Sequence, residues 1–125
     1  MNQRLRRHER LAARADYTRC YRHGQRLRAQ YFTIYAYRHG EHVIRLGLAV
    51  GKAVGIAVVR NRVKRRLREL FRRRKALVPT GYDLFVRALP ASAPASYGTL
   101  EDAWCKAIAA LTATEDPGHV GLKHG

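Results

Sequence analysis

Acidic residues are scarce in this chain. Nine Asp and Glu stand against 25 Lys and Arg in 125 residues, a formal net charge of +16. The few carboxylates are scattered, and Glu101, Asp102, Glu115 and Asp116 sit towards the C-terminal end. No carboxylate cluster is therefore in view to hold paired metals against a phosphate. Cysteine is equally sparse: Cys20 and Cys105 form neither a disulfide framework nor a metal-ligand spacing, and read as two free thiols in a reducing compartment. Long apolar runs are missing. The longest weakly charged stretch, 46–59, is short, glycine-rich and interrupted by Lys52, so it cannot span a bilayer, and the N-terminus has charge without an apolar secretory segment. The expected location is cytoplasmic, with no membrane partner. His-Glu-x-x-His, Cys-x-x-Cys and Gly-x-Ser-x-Gly do not occur, and the six histidines have no ligand-like spacing. Without these devices the chain reads as a binding protein.

What it has in abundance is arginine. Residues 60–75 hold ten Lys or Arg against Glu69 alone, yet Val59, Val63, Leu67 and Leu70 recur at helical spacing. A helix that buries this stripe fixes its cations on one surface. At about 100° per residue, Asn61, Lys64, Arg65, Arg68 and Arg72 project opposite Val63, with Arg60 and Arg62 on the flanks. A polyanion with regularly spaced phosphates is the matching partner. Of the 25 basic residues 20 are Arg, whose planar fork suits phosphate and stacks on bases. Nucleic acid is the first reading. Duplex DNA read by a basic helix lacks the zipper or helix-turn-helix that would present it.

Along the chain, residues 1–10 form a mobile basic arm. A helix is expected over 14–23, with Tyr17 and Tyr21 on one face and Gly24 as its stop. Residues 26–29 can make a short edge strand. Residues 31–37 make a better one, with Phe32, Ile34 and Ala36 on one face and Tyr31, Thr33, Tyr35 and Tyr37 on the other. After a turn at 39–42, the stretch 43–50 alternates, with Leu46, Leu48 and Val50 opposite Arg45 and Gly47. Gly51 to Gly55 leads into the basic helix at about 57–75. Pro79-Thr80-Gly81 precedes a strand over 82–89, a Pro/Ala/Ser loop follows, and Thr99 is the expected N-cap of a last helix. Residues 115–125 are a disordered tail. The order α-β-β-β-α-β-α, within one domain over 1–114, is an α+β sandwich: one sheet with helices on an aliphatic face and the other face partly open.

Tyr17, Tyr21 and Tyr35 border that second face. Rings on a cation-flanked sheet can stack unpaired bases without sequence preference; the alternative is half-buried core residues with wet hydroxyls, an equal reading for Tyr37. The Gly51-Lys52-Ala53 loop is not a P-loop, because Leu46 stands where the first glycine belongs and Ala53 where Ser or Thr should reach magnesium. It reads as an eased turn that leaves Lys52 free for a phosphate.

Val58-Val59-Arg60-Asn61-Arg62-Val63-Lys64-Arg65-Arg66-Leu67-Arg68-Glu69 resembles the RNR helix of the bacterial ribonuclease P protein subunit. The likeness extends to Asp16-Tyr17, Tyr21, His23-Gly24, Phe32, Tyr35, Arg45-Leu46-Gly47-Leu48, Lys52, Val54-Gly55 and Tyr82-Asp83, covering about residues 5–112. It implies a basic α+β protein with a left-handed crossover, bound to a large catalytic RNA. That RNA, with magnesium, removes the 5′ leader of precursor tRNA, so the protein would supply no catalytic residue, bind no metal alone and need no protein partner. Carried over, Lys52, Arg60, Asn61, Arg62, Lys64, Arg65 and Arg68 would contact the catalytic RNA, and Tyr17, Tyr21, Tyr35 and Arg45 would meet the leader. Two features depart from the family pattern. Gly51-Lys52-Ala53 replaces the usual Ser-Lys-Lys, losing a cation and a hydroxyl, and tyrosine replaces the usual phenylalanine at the first aromatic position. The competing class is a ribosomal or RNA-chaperone protein, which would share charge, size and aromatic face.

Overall fold

A computed structural model describes residues 10, 11, 14–40 and 43–114. The expectations for residues 1–9, for Glu41 and His42 of the turn, and for the tail at 115–125 lie outside the described residues. The elements run α1 (Arg14–His23), β1 (Gln25–Arg28), β2 (Phe32–Arg38), β3 (Arg45–Ala49), α2 (Ala57–Arg74), β4 (Tyr82–Ala88) and α3 (Tyr97–Thr114), with short 3-10 turns between some of them. This is the expected order. The sheet is arranged β1-β2-β4-β3, antiparallel except for the parallel pair β3 and β4. Parallel neighbours need a long crossover, and α2 is that crossover.

The alternation in the strands decides which side each helix covers. Phe32, Ile34 and Ala36 of β2 and Leu84 and Val86 of β4 are buried on one face, together with Val63, Leu67, Leu70 and Phe71 of α2 and Leu100, Trp104, Ile108 and Leu111 of α3. Each such aliphatic or aromatic side chain contributes about 1.5–3 kcal/mol by leaving water, so this layer carries most of the stability and anchors α2. The opposite face has a smaller core of Leu11, Cys20 and Tyr35, with Tyr17, Tyr37 and Phe85 packed against it under α1.

Gly81, at φ 91°, turns the chain into β4 where a β-carbon would be strained. The start of α3 differs from expectation. The helix begins at Tyr97, and the Ser96 hydroxyl accepts the Thr99 N–H at 3.1 Å. Ser96 is therefore the cap, and Thr99 is the third helical residue. Both are capping residue types, and only the backbone path selects between them.

Candidate nucleic-acid interface

The cations of α2 divide into two sets. Arg60 Nε donates to the Gly55 carbonyl at 3.0 Å and Arg66 Nη1 to the Ala95 carbonyl at 2.7 Å. Arg72 grips Glu69 through Nε and Nη2 at 3.2 and 2.6 Å, Arg73 adds a bond at 2.7 Å, and Arg74 reaches Glu101 at 2.8 Å. Hydrogen bonds from Arg72 above all, with those from Arg73, hold the Glu69 carboxyl below its ordinary range against a smaller effect of desolvation. These arginines fasten the helix to its surroundings. Arg62, Lys64, Arg65 and Arg68, and the amide of Asn61, make no hydrogen bond or ion pair among the described residues. Their charges are left for something else.

Asn61, Lys64, Arg65 and Arg68 recur at helical i, i+3, i+4, i+7 spacing and line a groove of about 610 Å³. Its other walls are Leu46–Leu48 of β3, the Arg10–Leu11 segment and Tyr17. That segment joins the sheet edge: Arg10 bridges Leu46 in parallel, and the Leu11 N–H donates to the Leu46 carbonyl at 3.1 Å. Tyr17 is locked at the rim. Its hydroxyl donates to the Leu11 carbonyl at 2.7 Å, and its ring meets Phe85 edge-on at 5.2 Å. Burial, with the nearby Asp16 and Cys20, pushes the Tyr17 hydroxyl pKa up, so it stays a donor. Gly47 makes room for this ring, since a β-carbon there would lie 2.5 Å from Tyr17 Cε1. A groove with fixed cations, an amide and an aromatic edge can hold phosphates and a base together.

The three tyrosines do not share one open cleft. Tyr35 is only 7% exposed, stacked on Phe85 at 5.7 Å and tilted against Tyr21 at 5.2 Å. Tyr21 is 58% exposed and is the ring offered to solvent. Of the three rings expected to line a leader cleft, Tyr35 instead matches the alternative of a core residue, because α1 crosses the sheet face and buries it beneath Tyr21. Tyr37 is half-buried under the Arg19 guanidinium, 5.6 Å from its centroid. Arg45 is also placed differently from the reading that aimed it at a ligand. Its Nε and Nη2 each donate to Asp83 at 2.8 Å, and Nη1 lies 3.7 Å from Asp16. Asp83 is fully buried, and His39 Nε2 stands 3.4 Å from it. A buried carboxylate needs such partners, and an Asp inside an apolar strand was the sequence signal for this cluster. Lys52 is exposed on the turn before α2 and Arg60 and Arg62 are half-buried at the start of the helix, and all three lie outside the groove lining.

Among the described residues no three His, Cys, Asp or Glu side chains converge as a metal site, and no helix is long and apolar enough to cross a membrane.

The family model described as Ribonuclease P matches residues 5–112. The chain belongs to the ribonuclease P protein family. The ribonuclease P protein component of Acidothermus cellulolyticus is 37% identical over 112 residues, covering 86% of this chain and 91% of that protein. That of Thermotoga maritima is 37% identical over 86 residues, covering 69% and 74%. Among solved structures, the RNase P protein of Staphylococcus aureus superposes with a TM-score of 0.75 at 26% identity, over 82% of this chain and 94% of that one. The RNase P protein from Thermotoga maritima gives 0.73 at 30% identity, over 80% and 94%. The α+β architecture is thus that of ribonuclease P proteins, and the ribosomal or chaperone alternative is disfavoured.

Proposed function

We propose that this ribonuclease P protein binds the catalytic RNA through the free face of α2 and the single-stranded 5′ leader of precursor tRNA beside α1. In so doing it assists the endonucleolytic cut that leaves the mature tRNA 5′ end. The observation that carries the reading is the division of the α2 cations. Five arginines of that helix are bonded within the fold, while Asn61, Lys64, Arg65 and Arg68 are left unbonded on one groove wall. Holding three such cations together without a counter-charge is unfavourable unless a polyanion completes the site, and the Asn61 amide stands among them. Arg62 and Lys52 extend the same charge towards the start of the helix, and Arg60 braces it.

The chemistry is assigned to the RNA. Magnesium belongs to the RNA–protein holoenzyme, and no residue of this chain is assigned to hold it. The residues of the chain position the two RNAs. Tyr21 supplies a stacking surface for a leader base, Tyr35 and Phe85 support that ring from below, and Tyr17 closes the groove rim. Arg45 acts through Asp83 and Asp16, holding α1 on the sheet rather than touching the leader.

The deciding experiment adds purified, RNA-free protein to a bacterial ribonuclease P RNA and precursor tRNA at low magnesium. Stimulated leader removal, with none from protein alone, is the expected result. Cleavage by the protein alone, or no stimulation of the RNA, would overturn the reading.

A further inference from the structure

Beyond α1, the sheet face carries cations that neither the groove nor the aromatic cluster uses. In the strand register, Arg28 stands opposite Thr33, Thr33 opposite Arg87, and Arg87 opposite Ala49. Paired residues point to the same side, so this is one continuous row across four strands. The next row reads Arg26, Tyr35, Phe85 and Gly47. Leu27 is buried on the opposite side, which confirms that Arg26 and Arg28 project onto the α1 face. All three arginines are exposed, and none makes a hydrogen bond or ion pair among the described residues. The carboxylates on this face are already engaged, Asp83 with Arg45 and Asp16 with Arg19.

Arginines on β1 alone could be explained as protection of an exposed sheet edge, which charged side chains blunt against pairing with another chain. That explanation fails for Arg87, because β4 lies inside the sheet between β2 and β3. Arg28 and Arg87 are two strand spacings apart, roughly 10 Å, with the small polar Thr33 between them. The row thus has cations on both sides of a shallow polar floor, beginning one row from the ring that Tyr21 covers. Such spacing suits a chain of phosphates and no single small anion.

We propose that Arg26, Arg28 and Arg87 form a phosphate track for single-stranded RNA, carrying the leader onward from Tyr21 across the uncovered row of the sheet. This rests on the leader reading above. It adds that leader nucleotides beyond those stacked at Tyr21 are bound by charge alone, without base preference.

The test uses reconstituted holoenzyme carrying R28Q/R87Q. Affinity is measured for mature tRNA and for precursors with leaders of about two, five and ten nucleotides, a range matched to single-strand binding sites, over a salt series. Wild type should gain affinity with each extension. The variant should keep the gain from two to five and lose that from five to ten, binding the longest leader roughly five- to thirty-fold more weakly. Its log–log salt slope on that substrate should be shallower by about one. R28K/R87K should restore both, which excludes a folding defect. Wild-type behaviour of R28Q/R87Q at every length, or equal weakening for mature tRNA, would overturn the track. Failure of the underlying leader reading has another signature: wild type itself would show no dependence on leader length.

Discussion

Tyr21 and Tyr35 touch each other yet should respond differently to mutation. Tyr35 is nearly buried on Phe85, so Tyr35→Ala opens a cavity and should cost about 3–5 kcal/mol of stability, seen as a lowered Tm. Tyr21 is mostly exposed, so Tyr21→Ala should leave Tm close to wild type. It should weaken precursor binding by about 1–3 kcal/mol, with mature tRNA unaffected and Tyr21→Phe nearly silent. A matching loss for precursor and mature tRNA would remove Tyr21 from the leader. Cys20 gives a second residue-scale expectation. Burial above all, with Asp83 and Asp16 nearby, pushes its thiol from 9.0 up to about 12. The folded state therefore favours the protonated thiol. That contribution is complete below pH 9.0 and is lost as pH rises from there towards about 12. Thermal stability should fall across that window, and less steeply in Cys20→Ala. In native protein at neutral pH, a thiol reagent should label the partly exposed Cys105 and spare Cys20.

At the scale of the element, α2 does two jobs with one residue type. Its apolar stripe binds it to the sheet, and its arginines divide into a set bonded within the fold and a set proposed to meet RNA. Arg65→Ala with Arg68→Ala should flatten the dependence of log affinity for the catalytic RNA on log salt by about one to two units. Arg72→Ala with Arg73→Ala removes cations that already bond Glu69, and should leave that slope nearly unchanged while lowering thermal stability. Equal slopes in the two double variants would mean that the division of the helix does not govern RNA binding. Asn61→Ala belongs with the first pair. The amide has no partner within the described fold and lines the groove, so the substitution should weaken RNA binding without moving Tm.

Across the whole molecule, Asp83 is where the layers meet. It is buried in β4, paired with Arg45 of β3, close to His39 after β2, and linked through Arg45 to Asp16 of α1; its backbone carbonyl also accepts a weak bond from Cys20 Sγ at 3.8 Å. Asp83→Asn leaves Arg45 beside an uncharged amide and should destabilise the protein by about 3 kcal/mol. Because the cluster seats α1 on the sheet, leader-dependent affinity should fall in this variant more than affinity for the catalytic RNA, whose proposed contact is α2. Loss of both in equal measure, at a temperature where the variant is folded, would argue against a specific role for the cluster in seating α1.

Much of this was legible in the chain itself. Alternation in Phe32–Ala36 and Leu46–Val50 and the 3.6-residue stripe in α2 depend on local geometry, so element order, core side and the RNR helix followed from residue type and spacing. The family resemblance rested on the same local pattern. What the pattern could not decide is which polar groups meet. Ten cations in sixteen residues look alike in one dimension, and only packing against Glu69, Ala95, Gly55 and Glu101 separates bracing arginines from free ones. Likewise three tyrosines at suitable positions look equivalent until α1 is laid over the sheet, which buries Tyr35, tucks Tyr17 against Gly47 and leaves Tyr21 outside. Arg45 and Asp83 lie 38 residues apart, and their pairing comes from β3 and β4 being parallel neighbours, a long-range contact that residue spacing does not encode.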